Sequence, residues 1–318
     1  MSKKIISVLG DSNVDMSLLL SDVNKLKPPS LSSGGTCANV AAGLSKLGLK
    51  VKFFGTVGND IYGKHVLEEM KKDNVDTRNL IVLDEHSTAM VIGIVQSNSE
   101  RSLFVWPPEG GAHEYLEFSL IDKEHILESD WLHVSGISLR NDPIKTTMIE
   151  VMKLFKENNI PISFDLNIRA ELWGLDLEFK ETVYKAISYS DYIFGNSDEE
   201  IIPLTEKKTI NEAAKAIIKE NQTLICRNGS KSVLAFNKNN LTKREVFKIS
   251  PKDSIGAGDA FNTGFISGVL QDKPIDEVID CGNAVAAYKL LGYGARHLPN
   301  VKEPVSYTHL TLPTSDLV

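Results

Sequence analysis

Residues 253–265 read DSIGAGDAFNTGF, and no other segment of the chain carries as many chemical signals. Gly256, Ala257 and Gly258 form a tight turn of small residues, and the apolar residues after them have helical spacing. The turn therefore predicts a helix N-terminus, whose free N–H groups and positive dipole end suit an anion such as phosphate. Asp259 lies in the first helical turn, where a carboxylate either caps the helix or accepts a proton from an attacking hydroxyl.

A second glycine-rich stretch, GGTCANVAAGLSKLG at residues 34–48, also leads into a predicted helix. Together the two stretches resemble the two signatures of the ribokinase-like (PfkB) family of carbohydrate kinases, in the same order and at about the same separation. The resemblance covers residues 3–300. It implies a ribokinase-like three-layer α/β/α sandwich with a mostly parallel central sheet and a small β-sheet lid. It also implies an ATP-dependent phosphotransferase that acts on a sugar hydroxyl.

Composition sets bounds on other functions. The chain has 318 residues, of which 42% are hydrophobic, and its formal net charge is −7. A substantial core is expected, whereas a nucleic-acid-binding or membrane-binding surface is not. The cysteines are far apart and have no CxxC spacing, which indicates neither a disulfide framework nor a zinc site. The first apolar run is too short for a signal peptide and no stretch could span a bilayer, so we expect a cytoplasmic location.

Strand-like and helix-like segments alternate along the chain, without a repeat or a low-complexity linker. This pattern predicts a single kinase domain over residues 1–304, built from βαβ units. By the resemblance, residues 13–33 and 88–112 supply the lid, and a polar break at 97–100 separates two of its strands. Residues 305–318 read SYTHLTLPTSDLV after Val305, have no helical period and resemble vector read-through, so we expect them to be a cloning-derived tail.

The resemblance implies a sugar site at the carboxyl ends of the first strands. Asp15 follows the first predicted strand, where open α/β sheets place ligands, although an aspartate there also forms turns. Thr36 stands where ribokinase proper has a lysine, which argues against ribose. The substrate-binding residues that we expect, from the resemblance and from side-chain chemistry, are Asn13, Asp15, Gly34, Gly35, Asn39, Arg101, Trp106, Asn167 and Arg169.

Several of these residues have alternative roles. Asn167 and Arg169 belong to DLNIRAELW, which is similar to a run in family members that act on fructose or 2-keto-3-deoxygluconate. Arg169 would bind the carboxylate of a sugar acid, or it would stabilise the sheet edge through Asp165. On the lid, Trp106 would stack on a sugar face and Arg101 would hold an anionic group, or both would be solvated or lie at a dimer edge.

In this family the residue that matches Asp259 is the catalytic base, and the Gly256–Gly258 turn is the anion hole. Residues 196–199 read NSDE, which matches the Asn-x-x-Glu motif that orders Mg²⁺, water and the ATP phosphates; taken alone it is a capping sequence. We therefore expect Glu199 and Asn196 to hold Mg²⁺ through water. The nucleotide-binding residues that the resemblance implies are Asn196, Arg227, Gly229, Ser230 and Asn283.

Asp253 matches the aspartate of a monovalent-cation site in members that need K⁺. Those members often carry a threonine two residues later, where this chain has Ile255, so K⁺ dependence stays open. Gly58–His65 matches a P-loop up to its last position, but His65 cannot supply the hydroxyl that Mg²⁺ needs there. We expect Asp60 to cap the following helix instead.

The sequence leaves several functions open. The expected partners are ATP and a small sugar or sugar acid, either fructose-like or 2-keto-3-deoxygluconate-like, with a homodimer through the lid also implied. Ribokinase and an adenosine-type nucleoside kinase are alternatives within the same family. A catalytically silent sugar-sensing protein is an alternative from another class, although such a protein would be expected to lose Asp259 or the NSDE motif. A dinucleotide-dependent oxidoreductase would need GxGxxG after the first strand, where this chain has GDSNVD.

Overall fold

The computed structural model describes residues 4–20, 30–96, 101–238 and 240–300. The expected tail at 305–318 and the expected break at 97–100 lie outside these residues. The strands are β1 (Ile5–Leu9), β2 (Asn13–Leu20), β3 (Ser30–Gly34), β4 (Lys50–Gly58), β5 (Asp76–Leu83), β6 (Met90–Gln96), β7 (Arg101–Trp106), β8 (Trp131–Ser135), β9 (Ile162–Asp165), β10 (Tyr192–Asn196), β11 (Thr223–Arg227), β12 (Val233–Asn237) and β13 (Asn240–Arg244). The helices are α1 (Thr36–Lys46), α2 (Ile61–Lys72), α3 (Lys123–Leu127), α4 (Ile144–Glu157), α5 (Ala170–Trp173), α6 (Leu177–Tyr189), α7 (Ile202–Thr205), α8 (Ile210–Ile217), α9 (Ala257–Val269) and α10 (Ile275–Leu290).

The central sheet has nine strands in the order β13-β12-β11-β10-β9-β8-β1-β4-β5. Its strands from β11 to β5 are parallel to their neighbours, and β12 and β13 add an antiparallel edge. The chain proceeds from β1 outward to β4 and β5 and then returns to β8 on the other side of β1. Open α/β sheets bind ligands at the carboxyl ends of the strands beside such a reversal.

Helices cover both faces of this sheet. Successive residues of a strand point to opposite faces, so Val8 packs with α1 and α2 whereas Leu9 packs with α4 and α6. Helices α9 and α10 complete the first face through Phe265 and Val278. These layers confirm the predicted three-layer α/β/α fold.

A separate four-stranded sheet has the order β3-β2-β6-β7 and, apart from Gly34 at the end of β3, lies within the two segments expected for the lid. Strand β2 pairs with β3 in the antiparallel direction and with β6 in the parallel direction. Because β2 begins four residues after β1 ends, the inner end of this small sheet adjoins the carboxyl edge of the central one.

Close helix packing aligns the two signature stretches. A Cβ atom at Gly43 of α1 would lie 2.7 Å from the Thr263 hydroxyl of α9, so the two helices meet at a spot with no room for a larger side chain. Thr263 is held there, since its hydroxyl donates to the carbonyl of Asp259 at 2.9 Å. One helical turn earlier, the same packing places Asn39 opposite Asp259.

The expected cap at Asp60 is confirmed. Its carboxylate accepts hydrogen bonds from the N–H groups of Tyr62 and Gly63 at 3.0 and 2.8 Å, at the beginning of α2. Lys64 of the P-loop-like sequence therefore belongs to a helix with an ordinary side-chain cap, as the alternative to a P-loop predicts. No helix within the described ranges combines the length and the apolar character needed to cross a bilayer.

Candidate active site

The turn before α9 has the geometry expected of an anion site. Gly256 has φ +74°, in the left-handed region, and a Cβ atom there would lie 2.6 Å from the Cβ of Ala295. Glycine is thus needed for both its backbone angle and its small size. Helix α9 has no side-chain cap, and among the described residues the N–H groups of Gly258 and Asp259 have no acceptor. These amides and the helix dipole are available to a negatively charged group.

Asp259 lies beside these amides and is 9% exposed. Its Oδ2 atom accepts a hydrogen bond from Asn39 Nδ2 at 2.9 Å, which joins the two signature stretches across 220 residues of chain. Burial raises the pKa of Asp259 to about 7, against the lowering effect of the Asn39 bond, and the charges of Asp165 and Asp11 raise it further. The carboxyl group is therefore able to accept or release a proton near neutral pH.

The residues expected on the sugar side form a second cluster at the beginning of β2. Asn13 Nδ2 donates to Asp15 Oδ1 at 2.7 Å. Burial raises the pKa of Asp15 to about 6, although the Asn13 bond lowers it. A Cβ atom at Gly34 would overlap the Asp15 carboxylate, and Gly35 has φ +98°. Both glycines of the stretch are thus required by the local geometry.

Asp11 connects this cluster to α1 and was not singled out from the sequence. Its carboxylate accepts from the N–H of Thr36 at 2.6 Å, from the Thr36 hydroxyl at 2.8 Å and from the N–H of Cys37 at 3.0 Å. The N-terminal end of α1 is therefore capped by an aspartate from the loop between β1 and β2. Only the tertiary fold brings Asp11 to that helix.

Asn167 and Arg169 follow β9 with left-handed backbone angles, φ +36° and +51°. Asn167 Nδ2 donates to Ser135 Oγ at 3.2 Å, across the ends of β8 and β9. Arg169 is 48% exposed, and the nearest carboxylate oxygen in its ion pairs is that of Glu171 at 3.9 Å. Behind the larger effect of burial, the charge of Arg169 lowers the pKa of Asp259.

Arg227 is engaged in a network that the sequence did not predict. Its guanidinium donates to Gly258 O at 3.0 Å, to Asn262 Oδ1 at 2.9 Å and to Asp165 Oδ1 at 2.8 Å. Asn262 Nδ2 also donates to Asp165 Oδ2 at 2.6 Å. These bonds fasten the first turns of α9 to the ends of β9 and β11. Asp165, considered above as a partner of Arg169, is instead the partner of Arg227 and Asn262.

The NSDE motif begins a single π-helical turn, Ser197–Ile201. Asn196 Oδ1 accepts from the N–H groups of Asp198 and Glu199, and its Nδ2 atom donates to Glu199 Oε2 at 3.1 Å. Both the capping role and the pairing of Asn196 with Glu199 are present. Glu199 is exposed at this end of the sheet, where its carboxylate can approach a ligand.

Comparison with known proteins identifies the family. The family model described as "pfkB family carbohydrate kinase" matches residues 3–302. The chain belongs to the pfkB family of carbohydrate kinases. It is thus a phosphotransferase with a hydroxyl group as acceptor, and it belongs to an ATP-using family.

Relatives of known name share most of the chain. A fructokinase of Vibrio alginolyticus is 33% identical over 263 residues, which is 82% of each chain. A 5-dehydro-2-deoxygluconokinase of Clostridium botulinum is 29% identical over 280 residues, 85% of this chain and 82% of the relative. A crystal structure of a fructokinase double mutant from Vibrio cholerae with fructose, ADP and potassium ion is 25% identical with a TM-score of 0.81, and covers 98% of this chain and 99% of the other.

Of the other residues expected to bind sugar or nucleotide, some are buried and some are exposed. Asn283 is buried on α10 and donates to the carbonyl of Glu245 at 3.2 Å. Gly229 and Ser230 are exposed after β11, and Gly229 has φ +55° with open space around it. Trp106 is 62% exposed at the end of β7, and the side chain of Arg101 lies outside the described part of the structure. Their binding roles remain predictions.

Glu200 was overlooked because it follows the expected motif glutamate directly. It accepts hydrogen bonds from the N–H of Ile168 at 2.8 Å and from the N–H of Asn196 at 2.6 Å. Burial and then the charge of Asp165 raise the pKa of Glu200 to about 7. Glu200 thus joins the loop of Asn167 and Arg169 to the NSDE turn, and nothing in the spacing of the sequence indicated this link.

Proposed function

We propose that this kinase transfers the γ-phosphate of ATP to a hydroxyl of a small fructose-like sugar or 2-keto sugar acid. The observation that carries the proposal is the position of Asp259, which is held by Asn39 at 2.9 Å next to the amides of Gly258 and Asp259, which find no acceptor in the described part of the chain. A carboxylate and an anion site at one helix end are what an acceptor hydroxyl and a phosphoryl group require.

Asp259 accepts the proton of the sugar hydroxyl as its oxygen forms a bond to the γ-phosphorus. The bond between that phosphorus and the β-phosphate oxygen breaks, and ADP leaves with the electron pair. The N–H groups of Gly258 and Asp259 stabilise the negative charge of the phosphoryl group during transfer. The buried Oδ1 atom of Asn39 has no partner within the described residues, and a substrate hydroxyl satisfies it as a donor.

Glu199 and Asn196 suit a magnesium ion bound mainly through water and the ATP phosphates. Mg²⁺ prefers oxygen ligands, retains several waters and commonly uses one or two carboxylates together with substrate phosphates. The exposed Glu199 carboxylate, oriented by Asn196 Nδ2, matches that donor set. The ion supplies neutralisation of phosphate charge when bound.

Arg169 favours a sugar acid over a neutral sugar as the substrate. Its side chain is 48% exposed, and its charge lowers the pKa of Asp259, which burial raises. A guanidinium recognises a carboxylate through paired, charge-assisted hydrogen bonds, whereas a neutral ketose offers no such group. The V. alginolyticus fructokinase and the C. botulinum 5-dehydro-2-deoxygluconokinase represent these two options among the relatives.

ADP release should be measured with fructose, 5-dehydro-2-deoxygluconate, 2-keto-3-deoxygluconate, ribose and adenosine. We expect turnover with fructose or a sugar acid and none with adenosine. Preferential turnover of adenosine would make the protein a nucleoside kinase. Sugar binding without ADP release for any acceptor would make it a silent sugar-sensing protein.

The variant Arg169→Ala separates the two substrate options. Loss of hydrogen bonds to a charged group should lower kcat/KM for a sugar acid by about 10- to 100-fold. With fructose the same variant should stay within about threefold of wild type, because neutral hydroxyls gain less from the guanidinium. Arg78→Ala is the matched control, since Arg78 is an exposed arginine of β5 that pairs with Asp76. An equal loss of kcat/KM for both substrates would show that Arg169 does not bind the carboxylate of a sugar acid.

A lid-to-lid homodimer belongs to the same proposal. Strand β7 presents Phe104 and Trp106, 54% and 62% exposed, on one side of the small sheet, and Leu31 of β3 is also exposed. Exposed apolar groups concentrated on one sheet favour contact with another protein surface. A second copy of the chain offers the same surface, as a two-fold symmetric interface requires.

A further inference from the structure

A lysine is buried beneath the turn that begins α9. Lys289 lies in the last turn of α10 and its side chain is 0% exposed. Its ammonium donates to the main-chain carbonyl of Asp253 at 2.7 Å and lies 3.8 Å from Asp253 Oδ2. The positive charge of Lys289 therefore lies beside Asp253, three residues before Gly256.

The Asp253 carboxylate accepts hydrogen bonds from the loops on both sides of it. Its Oδ1 atom accepts from the N–H of Ile255 at 3.0 Å, within the turn that leads to the anion hole. Its Oδ2 atom accepts from the N–H of Gly294 at 2.9 Å, in the loop after α10. A buried carboxylate that orders two loops is stabilised by an opposite charge, and a buried ammonium is tolerated only with such partners.

These residues do not fit a potassium ion at Asp253. The V. cholerae fructokinase structure contains potassium, and the resemblance to members that need K⁺ pointed to Asp253. In this chain the carbonyl oxygen and the Oδ2 atom of Asp253 lie 2.7 and 3.8 Å from the Lys289 ammonium instead. A second cation at the same oxygens would meet a like charge at contact distance within a buried site, where repulsion is strong.

We infer that the Lys289 ammonium acts as a built-in monovalent cation, which makes this kinase independent of K⁺. Lys289 is a positioning residue. It neutralises Asp253, and Asp253 holds the turn that presents the amides of Gly258 and Asp259 to phosphate. The inference rests on the kinase activity proposed above.

The wild-type protein provides the first test. Phosphotransfer and Tm should be measured in chloride salts of K⁺, Na⁺ and tetramethylammonium at one ionic strength. We expect the rate to differ by less than about twofold and Tm to be the same in the three salts, since the charge is covalently attached. A tenfold activation by K⁺, or a Tm that rises only with K⁺, would overturn the inference.

Two variants test Lys289 directly, because both remove the charge and only one leaves space for an ion. Without K⁺, Lys289→Ala and Lys289→Met should each bind ATP about tenfold or more weakly, as expected when a buried carboxylate loses its charged partner. Added K⁺ or NH₄⁺ should restore ATP affinity in Lys289→Ala, whereas the Met side chain should prevent this. Wild-type ATP affinity in Lys289→Ala without K⁺ would contradict the role of Lys289.

Lys52→Ala is the matched control. Lys52 is another buried lysine, whose ammonium donates to the carbonyl of His125 at 2.7 Å and to Glu128 at 2.6 Å. Its loss should lower Tm without creating any response to K⁺. ATP binding by calorimetry and Tm need no acceptor, so a failure to phosphorylate any sugar would refute the proposed function while these readouts still test Lys289. If the Lys289 variants do not fold, the wild-type salt comparison decides.

Discussion

Asp259 is subject to two opposing influences at the residue scale. Burial favours its neutral form and raises its pKa to about 7, whereas the hydrogen bond from Asn39 favours the carboxylate. A general base works best when its pKa is near the operating pH, because enough of it is ionised and it still binds a proton well. The environment of Asp259 therefore suits proton transfer from a hydroxyl at neutral pH.

Replacement of this carboxyl tests its role as the base. Asp259→Asn keeps an acceptor oxygen for Asn39 but cannot take up the substrate proton. We expect kcat to fall by about 10²- to 10⁴-fold, while calorimetry shows ATP and sugar affinities close to wild type. The wild-type kcat/KM should rise with pH through about 7, as Asp259 ionises. Near-normal turnover in Asp259→Asn would remove Asp259 as the base.

Stability gives an independent measure of the same pKa. The folded-state pKa of Asp259 lies above the ordinary value of 3.8, so its stabilising contribution is complete below pH 3.8 and is lost as pH rises through about 7. Asp259→Asn should therefore raise Tm more at pH 8 than at pH 5. Asp15 and Glu200, with pKa values of about 6 and 7, titrate in the same window, so only the difference between variant and wild type is diagnostic.

At the scale of secondary-structure elements, the contact between α1 and α9 determines the geometry of the base. Asn39 and Gly43 lie one turn apart on α1, as Asp259 and Thr263 do on α9. The close approach at Gly43 and Thr263 therefore sets the separation at Asn39 and Asp259. A glycine one helical turn from Asn39 thus controls a hydrogen bond within the site.

The variant Gly43→Ala should impair catalysis through this helix contact. The added methyl group would lie 2.7 Å from Thr263 Oγ1, so α1 and α9 must separate and the Asn39–Asp259 bond must lengthen. We expect kcat to fall by about tenfold, since a displacement of about 1 Å in a catalytic site costs up to 10²-fold. Tm should also decrease.

Met148→Ala is the control for that decrease in stability. Met148 is fully buried on α4, on the opposite face of the sheet, and its truncation should cost about 2–5 kcal/mol. Its kcat at a temperature where the protein is folded should equal that of wild type. If both variants lose kcat in proportion to Tm, general destabilisation rather than the helix contact explains the effect of Gly43→Ala.

At the scale of the whole molecule, the reversal of strand order places the site residues at one edge. Ser135 pairs in register with Asp165, and Asn196 pairs with Arg227, so the ends of β8 to β11 lie side by side. The small sheet adjoins this edge too, because its strand β2 begins four residues after β1 ends. The exposed apolar side chains of the small sheet, among them Phe104 and Trp106, are accessible to a second copy of the chain.

The homodimer proposed for this surface should depend on Phe104. We expect light scattering to give twice the chain mass for wild type and the monomer mass for Phe104→Glu, because a charge buried without a partner opposes association. Leu241→Glu is the control, since Leu241 is similarly exposed, at 52%, on the far edge strand β13. A wild-type monomer, or a dimer that Phe104→Glu leaves intact, would exclude the lid as the interface.

The sequence by itself determined the fold class, the glycine turn before α9 and the cap at Asp60. These features depend on small residues, capping side chains and apolar periods within a few positions of each other, so local physics encodes them. The two signature stretches also placed Asp259 and Asn39 among the expected site residues.

Only the tertiary structure decided which charges meet. Arg227, predicted near the nucleotide, is bound to Asp165 and Asn262. Glu200 joins two loops, and Lys289 reaches Asp253 from 36 residues further along the chain. Buried charged groups must find partners wherever the fold brings opposite charges and dipoles together, and those partners come from segments that no local pattern relates.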